Sequence, residues 1–253
     1  MVEGKTEAMA RQLDAAQAIT HVGSWEWDLA SGVVTWSDEL YRIYGLEPGS
    51  KAITLEVFLG SLHPDDRDKI RGHIEAAIAA GGRFDYRERI VRPDGSVRVL
   101  DTIGEVIPGP DGRPWGLLGT CRDVTQEAEL AAARHRVERL QAGEREALEQ
   151  LANGAPLEQV LTTLVLLIEE LSPATIASVL LLDSRGQHLR HGAAPNLPTE
   201  YNRAIDGAAI GPRAGSCGTA AYRKQPVFVS NIETDPLWIG YRHLVEPHGL
   251  RAC

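Results

Sequence analysis

Cysteine is scarce in this chain, which has Cys121, Cys217 and Cys253 among 253 residues. An odd number of widely separated cysteines excludes a disulfide framework, and no CxxC or Cys/His spacing indicates a zinc site. We therefore expect any role of these thiols to be chemical, not structural.

Long apolar runs and charge blocks are also missing. The longest apolar run, near residues 161–168, is far short of the ~20 residues that a membrane-spanning helix needs, and the first residues lack an apolar signal core. The 26 basic and 35 acidic residues leave a net charge of -9, and neither sign forms a block that would follow a phosphate backbone. The sequence thus predicts a cytoplasmic protein that binds neither nucleic acid nor membrane.

Tryptophan is concentrated near the start of the chain. The stretch GSWEWDLASGVVTW contains Trp25, Trp27 and Trp36, although the whole chain has only five tryptophans. Alternation places Trp25, Trp27 and Leu29 on one face of a strand, and residues 30–32 turn the chain into a returning strand. These residues predict a β-hairpin with an aromatic face.

Helices are predicted after this hairpin, and further strands after the helices. Ser37 suits the N-cap of a short helix, and Pro64 suits the first turn of a longer one whose Ile70 and Ile74 point inward. Three strand patterns then follow, separated by the turn signals RPDGS and PGPDG, and the first has Phe84, Tyr86 and Ile90 on its inward face. The prediction is an α+β unit: a five-stranded antiparallel sheet with helices inserted after its second strand and the tryptophans on the covered face.

A charged, helix-forming segment follows, over residues 126–152. Its a/d positions form a thin apolar seam interrupted by Glu144. The seam consists of Leu130, Ala133, Val137, Leu140, Ala147 and Leu151. We expect a parallel homodimeric coiled coil; the alternative is a single solvated helix that packs on its own domain.

The last hundred residues predict a second α/β domain. The helix PLEQVLTTLVLLIEEL is followed by strands over residues 176–182 and 188–193, a helix that begins at GSCGTAAYRKQ, a strand VFVS, and a helical segment over residues 237–245.

Motifs in the two predicted units resemble those of two known families. GSWEWDLASG, HPDDR, RIVRPDGSVRVL and GLLGTCRDVT, in this order, resemble a PAS domain. GSCGTAAYRKQPVFVSNIETDPLW and PHGLRAC resemble the first two thirds of a GAF domain, an α/β sandwich. The resemblance implies an N-terminal helix (1–19), a PAS domain (20–125), a coiled-coil signalling helix (126–152) and a GAF domain (153–253) whose last strands would lie past residue 253.

The resemblance also implies a function. Such regions are the sensory input of bacterial signal-transduction proteins, and the output is a histidine kinase of a two-component system or a diguanylate cyclase or phosphodiesterase of cyclic di-GMP. The sequence itself contains no P-loop, Ser/His/Asp set or paired-carboxylate arrangement.

A small cavity is expected in a PAS fold, between the sheet and the helices across it. The candidate pocket residues are Trp25, Trp27, Trp36, Ile70, His73, Ile74, Tyr86 and Cys121, with Cys217 as a candidate in the GAF domain. Each of the tryptophans is equally consistent with plain core packing. We expect a small apolar or aromatic ligand.

Neither haem nor flavin is favoured as a cofactor. His73 lies on the helix that carries the axial ligand in some haem-binding PAS domains, but a single histidine without further pocket residues is weak support. Flavin-binding relatives carry a cysteine in an Asn-Cys-Arg helix, whereas Cys121 is in the last strand. No metal ligand set is predicted.

The stretch RDVT stands where PAS domains pass into the signalling helix. Asp123 and Thr125 are predicted to couple the sheet to this helix, or simply to cap it.

Cys217 and Cys253 support an alternative function. They resemble the cysteines of GAF-fold enzymes that reduce free methionine sulfoxide with thiols, although the histidine-to-cysteine spacing differs. A helix N-terminus would lower the pKa of Cys217. Small buried cysteines without a reaction are the simpler interpretation.

Overall fold

The computed structural model describes residues 2–110 and 112–253, with side-chain environments from residue 11 onward. It contains two compact units, residues 1–132 and 133–253.

The first unit is built around a β-sheet. Its elements are α1 (Val2–Thr20), β1 (Val22–Asp28), β2 (Val34–Trp36), α2 (Asp38–Ile43), α3 (Leu55–Ser61), α4 (Arg67–Ala80), β3 (Gly82–Val91), β4 (Val97–Pro108), β5 (Pro114–Asp123) and the start of α5 (Thr125–Ala152). The strands pair antiparallel in the order β2-β1-β5-β4-β3. The predicted five-stranded antiparallel sheet, with helices between its second and third strands, is confirmed.

Local hydrogen bonds form the hairpin at the start of the sheet. The Asp28 carboxylate accepts from the backbone N–H groups of Ala30 and Ser31, and Gly32 takes a φ of 72°. This turn brings Trp25 opposite Trp36 across β1 and β2. The aromatic side chains of the hairpin therefore belong to the face of the sheet that α2 and α4 cover.

The core of the first unit lies between this face and the helices. It contains Trp36, Leu40, Tyr41, Ile43, Tyr44, Ile53, Leu59, Leu62, Ile70, Ile74, Ile90, Leu100 and Cys121, with Trp25 and Trp27 packed against it. Gly119 lies opposite Trp25, and a Cβ there would come within 2.6 Å of the indole Cζ2. Glycine at this position therefore lets the Trp25 ring lie flat on the sheet.

The HPDDR stretch, at the start of α4, is hydrogen-bonded to the edge strand β3. Pro64 begins a 3-10 turn, Pro64–Asp66, and α4 starts one residue later than that turn ends. The Asp66 carboxylate accepts from the backbone N–H of Arg89 at 3.0 Å and from its guanidinium at 2.7 and 2.9 Å. These hydrogen bonds lower the pKa of Asp66.

The second unit is less regular than predicted. It contains α6 (Leu157–Leu171), β6 (Val179–Leu182), β7 (Leu189–Ala193), α7 (Thr199–Ile205), α8 (Gly215–Arg223) and α9 (Arg242–Val245). β6 and β7 pair antiparallel.

Three expectations for the second unit are wrong in detail. The strand predicted over residues 176–182 begins at Val179, after an irregular stretch over residues 175–178 that follows a turn at Ala174. The VFVS stretch is not a strand in this structure, although Val229 exchanges two backbone hydrogen bonds with Cys253. The helix predicted over residues 237–245 is divided into a 3-10 turn, Pro236–Trp238, and the short α9.

The second half of α5 packs on α6. Gly143 lies against Leu167, and a Cβ at Gly143 would overlap the leucine side chain. The Gln150 side chain donates a hydrogen bond to Thr163, and the Arg139 guanidinium donates one to Glu170. Ala147, one turn from Gly143, is 5% exposed. Its assignment to a dimer seam is therefore wrong, because its own chain covers it.

The other large residues of the predicted seam are exposed. Leu130, Val137, Leu140 and Leu151 are between 43% and 64% exposed, and Ala133 is exposed as well. This stripe remains available for a second helix.

We predict that Asp66→Asn lowers the free energy of unfolding of the first unit by about 1 to 2 kcal/mol, because it removes charge-assisted hydrogen bonds to Arg89. Since the folded pKa of Asp66 is lowered, this contribution is present above the unfolded pKa of about 4 and is lost as the pH falls through the folded pKa.

Urea denaturation followed by tryptophan fluorescence measures this effect, since four of the five tryptophans are in the first unit. The matched control is Asp65→Asn, whose side chain is 71% exposed and reaches Arg89 only at 3.4 Å. An equal loss in both variants would contradict the proposed role of Asp66.

Candidate functional site

The first unit encloses a cavity between the sheet and the helices. Its volume is about 40 Å³. Six of the predicted pocket residues line it: Trp25, Trp27, Trp36, Ile74, Tyr86 and Cys121. Leu40 from α2, Tyr44 at the C-cap of α2, and Leu55 and Phe58 from α3 complete most of the remaining wall. The lining is therefore mainly aromatic and aliphatic.

Two predicted pocket residues do not line the cavity. Ile70 is fully buried in the adjacent core, at 0% exposure. His73 is exposed on the outer side of α4, and its ring centroid is 6.1 Å from that of Tyr86. Its inward placement was wrong because Ile70, Ile74 and Ala77 occupy the buried face of α4.

The cavity wall contains one unused hydrogen-bond donor. The indole Nε1 of Trp27 is buried and has no hydrogen-bond partner. A buried N–H group without a partner costs free energy that a bound acceptor would recover. The site is thus suited to a small, largely apolar molecule with one acceptor atom.

A buried acid that the sequence analysis missed lies next to this cavity. Glu88 on β3 is 1% exposed, its Oε1 accepts from Thr102 Oγ1 at 2.9 Å, and its Oε2 has no partner. Thr102 Oγ1 also lies 3.1 Å from the Cys121 thiol, which lines the cavity. The three side chains form a polar chain behind an apolar wall.

Burial dominates the electrostatics of this chain. It raises the pKa of Glu88 to about 8, against a weaker opposing effect of the hydrogen bond from Thr102. Burial, followed by the charge of Glu88, also raises the pKa values of Tyr44, Tyr86 and Cys121. Glu88 is thus mainly a neutral acid at pH 7.

The end of β5 is joined to the start of α5 by side-chain hydrogen bonds. Asp123 Oδ1 accepts from the backbone N–H and the hydroxyl of Thr125. Thr125 Oγ1 in turn accepts from the backbone N–H of Val99 on β4 at 2.9 Å. Both predicted coupling residues therefore take part in one connection between the sheet and the helix.

The second unit places Cys217 near Cys253. Cys217 lines an apolar cavity of about 40 Å³ with Tyr201 and Trp238. The expected lowering of the Cys217 pKa is wrong in direction, because interaction with the Cys253 side chain, followed by burial, raises this pKa. Reduction of sulfoxides by these thiols stays a hypothesis.

Comparisons with known proteins agree with the fold of the first unit and identify the second. Residues 33–121 match the family model of the PAS fold, and residues 154–253 match that of the GAF domain. The chain is a PAS–GAF region of the kind that sensor proteins contain.

Curated relatives are themselves sensors or signalling enzymes. The chain is 32% identical over 198 residues to the methyl sulfide methyltransferase-associated sensor of Methanosarcina acetivorans, covering 78% of this chain and 19% of that protein. It is 27% identical to the sensor protein FixL of Bradyrhizobium diazoefficiens, and the match covers 44% of this chain and 22% of FixL. It is 23% identical to the probable diguanylate cyclase DgcE of Escherichia coli, and the match covers 52% of this chain and 12% of DgcE. The chain thus spans about a fifth or less of the length of these relatives.

The described residues include no helix long and apolar enough to cross a membrane. Within the same residues, no cluster of three or more His, Cys, Asp or Glu side chains is arranged to hold a metal ion.

We predict that the free energy of unfolding of Glu88→Gln, compared with that of the wild type at the same pH, increases as the pH rises from about 5 to 8. The folded pKa of Glu88 is raised from 4.5 to about 8, so the folded state keeps a proton that the unfolded state releases, and wild-type stability falls through this window. Glutamine is neutral throughout and avoids this loss, which is on the order of 1 kcal/mol per pH unit for one proton.

Urea denaturation at several pH values, followed by tryptophan fluorescence, measures the difference between the variant and the wild type. Glu105→Gln, at an exposed position of β4, serves as the control and should show a constant difference. A constant difference for Glu88→Gln would show that Glu88 titrates normally.

Proposed function

We propose that this chain is a sensory input region in which a small, largely apolar molecule with one hydrogen-bond acceptor binds in the PAS cavity. Binding is relayed through α5 to an output module, a histidine kinase or a diguanylate cyclase or phosphodiesterase, in the complete protein. The proposal retains the cytoplasmic location that the sequence predicts. The unpaired Trp27 N–H in an aromatic cavity is the observation that carries the ligand class.

The volume of the cavity supports a coupled structural change. About 40 Å³ is well below the ~300 Å³ or more of pockets that hold drug-sized ligands. A ligand of more than a few atoms must therefore displace ring side chains to enter. The bound and free states would then differ in structure, which is the differential free energy that a ligand-driven signal requires.

The wall of the cavity leads directly to the signalling helix. Cys121 lines the cavity, and Asp123, two residues later on the same strand, bonds Thr125 at the start of α5. Displacement of β5 by a ligand would therefore change the direction in which α5 leaves the sheet. Such a change in helix orientation is a recognised form of switching.

A parallel homodimer is the assembly that this relay favours. Leu130, Val137, Leu140 and Leu151 remain exposed on α5, and a helix of this kind buries such a stripe against a second copy. Signals that reorient α5 would then alter the packing of two helices.

We predict that anisole binds the first unit more tightly than ethylbenzene, which has the same size but no acceptor. One net hydrogen bond of about 1 kcal/mol to Trp27 Nε1 corresponds to a roughly fivefold difference in Kd. Titration followed by tryptophan fluorescence measures both constants.

Trp27→Phe removes the donor and keeps an aromatic ring, so the two probes should bind this variant equally. The control is Trp115→Phe, because Trp115 lies outside the cavity lining and is 44% exposed. Equal binding of both probes by the wild type, or a preference that survives in Trp27→Phe, would refute the assigned ligand class.

We predict that Val137→Glu combined with Leu140→Glu weakens the dimer by about tenfold or more, because the new carboxylates would be buried without partners. Sedimentation equilibrium of the 253-residue chain measures the association. Ala131→Glu adds a charge at an exposed position outside the seam and should leave it unchanged. A monomeric parent would refute the dimer.

A further inference from the structure

A chain of polar side chains crosses three strands on the covered face of the first sheet. Thr102 on β4 lies directly opposite Cys121 on β5. The Thr102 hydroxyl donates to Glu88 Oε1 on β3 at 2.9 Å, and the Cys121 sulfur lies 3.1 Å from the same hydroxyl oxygen. Hydrogen bonds thus connect a buried acid on the edge strand to β5, which leads into α5.

The direction of these hydrogen bonds follows from the number of protons. A hydroxyl group has one proton, and Thr102 donates it to Glu88. The Cys121 thiol is therefore the donor in its contact with Thr102. Since the carbonyl oxygen of a neutral acid is its better acceptor, Oε1 of Glu88 is the carbonyl oxygen, and Oε2 carries the proton. Oε2 is buried and has no partner, so the chain ends at an unused proton.

The described residues supply no positive charge that would balance a carboxylate at Glu88, which is 1% exposed. The titratable groups around it are those of Tyr44, Tyr86, Cys121 and Asp66. Burial raises the pKa values of the two phenols and the thiol, so they stay neutral. The hydrogen bonds from Arg89 lower the pKa of Asp66, which stays charged. Within this cluster, Glu88 is therefore the group that changes its charge near neutral pH.

Glu88 also lies in the same row of the sheet as the residue that caps α5. Glu88 pairs with Leu100 on β4, and Leu100 pairs with Asp123 at the end of β5. Neighbouring strands are about 5 Å apart, so the backbones of Glu88 and Asp123 are roughly 10 Å apart. Leu100 is fully buried between them. A charge on Glu88 would therefore act on Asp123 where water does not screen it.

We propose that Glu88 makes the first unit a proton sensor, in which loss of the Glu88 proton changes the hydrogen bonds to Thr102 and Cys121 and shifts the end of β5. In this step the Oε2–H bond breaks, its electron pair stays on the carboxylate, and water or hydroxide takes up the proton. The carboxylate draws the Thr102 hydroxyl closer, because hydrogen bonds to a charged acceptor are shorter and stronger. The Cys121 thiol follows its acceptor, and Asp123 is two residues farther along the same strand.

The proton is an input that does not require the ligand proposed above. Burial raises the pKa of Glu88 to about 8, so the neutral acid predominates at pH 7 and the carboxylate at higher pH. Both inputs would reach α5 through the hydrogen bonds between Asp123 and Thr125. The relay through α5 is thus the only step that the proton sensor shares with the proposed function.

NMR of the ¹⁵N-labelled 253-residue chain, without any ligand, tests the proposal. The Thr125 N–H donates to Asp123, and the Val99 N–H donates to Thr125, so these two amides report on the junction between the sheet and α5. Their chemical shifts should change together as the pH rises through about 8. The infrared carbonyl band of the neutral acid should disappear with the same midpoint.

Two variants assign the transition to Glu88. In Glu88→Gln, which is neutral at every pH, the infrared band should be lost and the amide signals should not move as the pH rises through about 8. Thr102→Val removes the donor that favours the charged form, so the midpoint of the infrared band should rise by roughly one pH unit. A side chain that only fills space would not move this midpoint.

His21→Gln is the control, because His21 is another titratable residue near the junction. Its carbonyl accepts from the Asp123 N–H, and its imidazole Nδ1 lies 3.3 Å from Glu39 Oε1. The transition at a pH of about 8 should persist unchanged in this variant.

Constant Thr125 and Val99 signals in the wild type would overturn the proposal. A transition that persists in Glu88→Gln, or that disappears in His21→Gln, would overturn it as well. If Glu88→Gln does not fold, Thr102→Val decides, because an unchanged midpoint there would show that another group titrates. Since no ligand is used, failure of this test leaves the proposed ligand site standing, and failure of the anisole test leaves the proton sensor standing.

Discussion

Burial of the aromatic inner face of the sheet is the interaction on which the first unit depends. Large aromatic side chains bury roughly 150 to 250 Å² each, which corresponds to about 4 to 6 kcal/mol per residue before entropy is counted. Trp36, Tyr41 and Tyr44 are all 8% exposed or less, and both tyrosine rings contact the Trp36 ring. Because rigid rings do not fill space continuously, the packing that stabilises this face also leaves a cavity beside it.

The polar groups next to this cavity oppose stability and so point to function. Glu88 and Trp27 each bury a polar atom without a partner, at a cost of about 1 to 3 kcal/mol for such a group. Apolar residues at these positions would avoid the cost. Local departures from the rules of good packing are typical of functional sites, and here two of them occur beside one small volume.

Local patterns predicted much of the fold, whereas contacts between distant residues escaped prediction. The hairpin around Gly32, the Ser37 cap and the turn RPDGS depend on neighbouring residues, and the structure has each of them. The predicted PGPDG turn contains Asp111, which lies outside the described residues. His73 was misplaced because its helix has only one buried stripe, and Ile70 and Ile74 occupy it.

Glu88 could have been found from the sequence. Phe84, Tyr86, Glu88 and Ile90 alternate on β3, so a carboxylate stands at an inward position of that strand. By contrast, the interaction of the Cys217 and Cys253 side chains depends on how the segment between them, which includes α9, folds back, and no local pattern records this.

The helix α5 is constrained differently along its length. Its first residue is bonded to Asp123 and Val99, whereas Gly143 and Ala147 face α6. Glycine inside a helix costs about 1 kcal/mol relative to alanine, yet at Gly143 any side chain would overlap Leu167. Close packing on α6 therefore outweighs helix propensity at this point. Since α6 already covers that face, the homodimer proposed above would use the exposed residues Leu130, Val137, Leu140 and Leu151 instead.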